Sequence, residues 1–81
     1  MKILLDARQL QGEQLHPYLK EVFAFPSYYG NNFDAFYDCL TDLPETQVQF
    51  THIEQAGKKF AMVRRVLMDA TRENPNLTMI E

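Results

Sequence analysis

TQVQFTH, residues 46–52, alternates apolar and polar side chains with a period of two. Successive side chains of a strand project to opposite faces. Val48 and Phe50 therefore share one face, and Gln47, Gln49 and Thr51 share the other. A strand with one buried and one wet face reads this way. A sheet built around it needs helices on one side only.

Toward the N-terminus, Ile3-Leu4-Leu5 is a short apolar run consistent with a buried strand, and Gln11-Gly12 ends that segment. Leu15, Tyr18, Leu19, Val22 and Phe23 then fall at i, i+3, i+4, i+7 and i+8, the spacing of a helix face. Pro17 belongs near the start of that helix, where its missing N–H does little harm. Pro26 keeps Phe25 out of it. Asn31 or Asn32 caps a second helix with the apolar stripe Phe33, Phe36, Tyr37, Leu40 and Leu43, and Pro44 follows its end. Gly30 is expected at positive φ, turning the chain into this helix. Beyond the alternating strand, Phe60, Val63, Val66, Leu67 and Ala70 mark the inner face of a third helix over about 58–73. Asn74-Pro75-Asn76 breaks it, and residues 77–80 form a last strand. The order β-α-α-β-α-β predicts an α/β fold of two layers. Its three-stranded parallel sheet runs 1-2-3, with right-handed helical crossovers on one face.

The chain has 81 residues, 46% of them hydrophobic, which suits a single domain over 1–81 with little room for a deep pocket. No apolar run approaches the roughly 20 residues of a membrane helix. The opening MKILLDARQL is too short for a secretory signal. Cys39 is the only cysteine, so no internal disulfide forms and a reducing compartment fits. A cytoplasmic chain is expected.

Charge is unevenly spread. Residues 1–20 carry Lys2, Arg8 and Lys20 against Asp6 and Glu13, a net +1. Residues 21–57 carry Glu21, Asp34, Asp38, Asp42, Glu45 and Glu54 with no Lys or Arg, a net −6. Residues 58–81 return to +2, and the whole chain is −3. The acidic middle argues against nucleic acid and for a basic partner. At 100° per residue, Asp34, Asp38 and Asp42 lie within about 80° of one another, on the side away from the apolar stripe. Each i, i+4 pair of like charges costs roughly 0.2–0.5 kcal/mol. A partner bearing Arg or Lys would remove that repulsion and add charge-assisted hydrogen bonds. A solvated acidic face is the other reading of the same residues. In SYYGNN, residues 27–32, Tyr28 and Tyr29 cannot both be buried easily; one suits the core and the other an exposed anchor.

YYGNNFDAFYDCL, residues 28–40, resembles the signature of the barstar family, intracellular protein inhibitors of barnase-type ribonucleases. The similarity extends in pattern over most of the chain, to the closing LTMI. It implies the same two-layer fold. It also implies an inhibitor, not an enzyme, whose acidic helix and preceding loop occupy the places where RNA phosphates bind. On this resemblance Asp34 and Asp38 meet the nuclease's cationic side chains. Tyr28, Gly30 and Asn32 make loop contacts, and Tyr37 lies between the two acids. Tyr37 and Leu43 stand where the family has Trp, and Asp42 replaces a small residue. The segment after Phe50 is shorter, so one short family helix is reduced or missing. Asp69 aligns with an acidic contact residue, yet Arg65 and Arg72 are placed to pair with it locally.

The expected partner is a basic extracellular-type ribonuclease or the nuclease domain of a toxin, with the chain acting as a monomeric immunity protein. The alternative is an acidic interaction module of the same fold with a non-nuclease basic partner. No cofactor, direct nucleic-acid contact or membrane contact is expected. Asp34 and Asp38 lack the burial that an acid/base pair requires. With Asp42 they form no metal site for want of ligands from a second element. His16, His52 and the lone Cys39 make no zinc pattern.

Overall fold

The structure, a computed structural model, describes residues 1–80. β1 (Lys2–Asp6), β2 (Thr46–Thr51) and β3 (Leu77–Ile80) form one sheet, ordered β1-β2-β3. Both pairings are parallel, with Ile3 opposite Val48, Leu5 opposite Phe50 and Thr46 opposite Leu77. The expected two-layer α/β architecture is the one observed.

The alternation in β2 is realised directly. Val48 and Phe50 are buried, Gln47 is exposed, and Gln49 and Thr51 are half-exposed. Ile3, Leu5 and Leu77 join the buried face. Three helices pack there: α1 (Leu15–Phe23), α2 (Phe33–Thr41) and α3 (Phe60–Glu73). They bury Leu15, Leu19 and Phe23, then Phe36 and Leu40, then Val63, Leu67 and Ala70. Each buried Leu or Phe contributes roughly 1.5–3 kcal/mol. Between β2 and α3 a three-residue 3₁₀ turn spans Ile53–Gln55.

α1 ends before Pro26 is reached. Ala24 adopts φ 56°, its N–H bonds to Glu21 O at 3.2 Å, and Phe25 N–H bonds to Lys20 O at 3.0 Å. These paired bonds close the last turn as a Schellman motif, at a position that normally takes glycine. An exposed alanine in the left-handed region carries steric strain. Ala24→Gly is expected to stabilise the fold by about 1 kcal/mol. A chemical denaturation midpoint checks this; an unchanged or lower midpoint would contradict the strain.

The end of β1 is tied down through Asp6. Its backbone N–H donates to the Tyr18 hydroxyl at 2.8 Å, and its carboxylate takes Arg8 Nη2 at 2.7 Å and Arg8 Nε at 3.0 Å. The Arg8 guanidinium holds the Asp6 carboxyl at about 2, below the ordinary 3.8. A carboxylate with a depressed folded pKa contributes stability above its unfolded value and loses it as pH falls through the folded one. The stability difference between the native chain and Asp6→Asn should therefore be constant above about pH 4 and shrink toward pH 2. Urea titrations across that window measure it.

Candidate functional site

The site is built on α2 and the loop before it. Asn32, in extended conformation, caps the helix: its Oδ1 accepts from Ala35 N–H at 2.8 Å and its Nδ2 donates to Gly30 O at 3.1 Å. Both ends of this amide are therefore occupied within the chain. The left-handed residue of the turn is Asn31, with φ 54°, and not Gly30. Asparagine tolerates that region better than most residues. Gly30 serves by lacking a side chain. A Cβ there would sit 3.2 Å from Asn32 Nδ2 and 3.5 Å from Ala35 Cβ, crowding the cap.

Of the two adjacent tyrosines, Tyr29 is core at 5% exposure and Tyr28 projects at 84%. Phe25 stacks on Phe23 with centroids 5.1 Å apart and lies 5.0 Å from Tyr29, so the loop is pinned by its own apolar residues. His16 of α1 completes the anchor. Its Nδ1 is 2.8 Å from the Tyr29 hydroxyl, and its ring meets Phe33 edge-on at 5.1 Å. Burial, with Lys59 nearby, lowers the His16 pKa. Burial raises that of Tyr29, which stays a phenol.

Asp34, Asp38 and Asp42 are all exposed. Asp34 lies in the first turn of α2, where the helix dipole favours it, and Asp42 is the C-cap, where the dipole opposes it. Among the described residues none of the three forms an ion pair; the pairs present are Asp6–Arg8, Asp6–His52 and Asp69–Arg72. Half-buried Tyr37 flanks the acids on the side toward α3. Burial raises its pKa first, followed by the negative fields of Glu73, Asp69 and Asp38. α3 thus brings two carboxylates beside Tyr37, of which Glu73 is a neighbour missing from the sequence reading. Its signal was present: Asp69 and Glu73 are four residues apart and share a helix face. Asp69 lies 3.9 Å from Arg72, both side chains well exposed, and Arg65 forms no ion pair with it. An exposed pair at that distance contributes little.

On the other flank of the acids, half-buried Leu43 and Cys39 border a pocket of about 160 Å³ with Tyr28, Pro26 and Asp42. Burial pushes the Cys39 thiol up, and Asp38 and Asp42 push it further, so this cysteine is a poor nucleophile. The C-terminal end of α2 is held from below by buried Asn74. Its Nδ2 donates to Leu40 O at 3.0 Å and Leu43 O at 3.1 Å, while its Oδ1 accepts from Asn76 N–H at 3.0 Å. The sequence marked Asn74 only as part of a helix breaker. A larger groove of about 420 Å³ runs along Met68, Thr71, Pro75, Leu77, Thr78 and Met79, with no ionisable side chain in its walls among the described residues.

The acidic face of α2 and the loop before it are thus exposed and left without an intrachain cation among the described residues. The sequence model described as Barstar (barnase inhibitor) matches residues 2–78, and the chain belongs to the barstar family. A Bacillus subtilis (strain 168) protein named "Putative ribonuclease inhibitor YrdF" is 51% identical over 51 residues, 58% of this chain. That match spans 56% of the relative's own length.

Proposed function

We propose that this chain is a protein inhibitor of a basic, barnase-type ribonuclease. The acidic face of α2 and the loop before it enter the nuclease cleft in place of RNA phosphates. The observation that carries the reading is the exposed row Asp34, Asp38 and Asp42 without an intrachain cation among the described residues. Family membership and the name of the Bacillus subtilis relative support it. A site that holds phosphodiester must be cationic, and a rigid set of carboxylates complements it without rearranging. Tyr28 supplies an exposed ring beside the acids, and Tyr37 borders them on the side toward α3. Gly30 and Asn32 hold the loop in shape, and Leu43, Asp42 and Asp69 form the rim. The chain performs no chemistry; it blocks access. A monomeric immunity protein in the cytoplasm, guarding against an extracellular-type or toxin nuclease, fits these features.

Titration of the chain into an RNA-cleavage assay with barnase tests the reading. Cleavage should fall linearly to zero at one equivalent, and association should slow steeply with added salt. Binding without loss of cleavage would instead identify an acidic interaction module.

A further inference from the structure

We propose that the pocket between Tyr28, Pro26, Cys39, Leu43 and Asp42 receives one arginine side chain of the basic partner. The proposal deepens the inhibitor reading and rests on it. At about 160 Å³ the pocket is below the roughly 300–1,000 Å³ of a small-molecule site, yet it suits a single long side chain. Its walls are mostly apolar: Phe25, Pro26 and Leu43 can cover an aliphatic stem. Tyr28, 84% exposed, presents its ring at the mouth, and Asp42 supplies a carboxylate there. A guanidinium stacks on an aromatic face and takes a carboxylate in bidentate fashion, which an ammonium does not. Charge agrees with that occupant. All the lining residues fall within 21–57, where the chain has no Lys or Arg, and Asp42 forms no ion pair among the described residues.

The test uses acetyl-arginine-methylamide and its neutral counterpart acetyl-norleucine-methylamide, titrated against the native chain with backbone resonances followed by NMR. The arginine probe should shift Tyr28, Cys39 and Leu43 with a saturating dependence, about five-fold more tightly than the norleucine probe. Asp42→Asn should abolish that preference. Equal affinity for the two probes, shifts centred elsewhere, or no shifts would overturn the proposal. The RNA-cleavage titration of the native chain runs alongside. Inhibition without arginine binding removes the pocket proposal alone. Arginine binding without inhibition removes the nuclease as partner, and with it the occupant named here.

Discussion

Asp38→Ala is expected to weaken binding to a basic ribonuclease by about 3 kcal/mol or more, over a hundred-fold in Kd. Asp38 sits at the centre of α2's exposed row, with Tyr37 on one flank and the Tyr28 pocket on the other. In a complex both flanks exclude water from it, and a charge paired in such surroundings is costly to truncate because its partner stays buried and unmatched. Free chain loses nothing by the change. The carboxylate is exposed and forms no ion pair among the described residues, and its removal ends two like-charge i, i+4 contacts. Thermal stability should hold or rise slightly. Asp42→Ala, at the rim, should cost about 1 kcal/mol or less. Surface plasmon resonance and a thermal melt of each variant separate the two effects. A destabilised Asp38→Ala with intact binding would make that carboxylate structural.

Asn74→Ala is expected to have the largest effect on stability among polar substitutions, about 2–3 kcal/mol, or about 10 °C or more in Tm. The side chain is buried and makes three hydrogen bonds, two of which join the end of α3 to the end of α2 while the third closes the turn to Asn76. Alanine leaves the carbonyls of Leu40 and Leu43 without that donor and Asn76 N–H without its acceptor. Asn74→Asp tests the mechanism, since it keeps the acceptor but replaces the donating amide with a carboxylate facing two carbonyls. It should be at least as damaging as alanine. A Tm within 2 °C of native for Asn74→Ala would show that the bonds are not needed (about 0.5 kcal/mol or less). Because these bonds brace the segment carrying Asp42 and Leu43, affinity should also fall at temperatures where the fold persists.

The fold was legible because its cues are periodic. Val48 and Phe50 alternating with glutamines set the one-sided sheet, and three stripes at helical spacing set the helices. Tyr28 and Tyr29 could be divided into one buried and one exposed ring, but which was which depended on the turn Tyr29 N–H to Pro26 O and on His16, thirteen residues upstream. Ala24 gave no warning of a left-handed cap, since alanine has no local preference for it. The expectation for Gly30 followed composition, while Asn31 took the strained conformation and Gly30 met a steric demand from Asn32. Asn74 was hidden for a different reason: a breaker motif shows where a helix stops, and the carbonyls that its amide reaches belong to another helix. The acidic face was readable as a face, and Glu73 beside Tyr37 required helix packing to see.

If the acids of α2 enter a ribonuclease cleft in place of RNA phosphates, the chain and a bound oligonucleotide must exclude each other. Displacement of a fluorescent, non-cleavable deoxyribo-oligonucleotide from barnase tests it most directly. One equivalent of the chain should release the oligonucleotide completely, and Asp38→Ala should fail to do so at the same concentration. A ternary complex, with oligonucleotide and chain bound together, would contradict that exclusion.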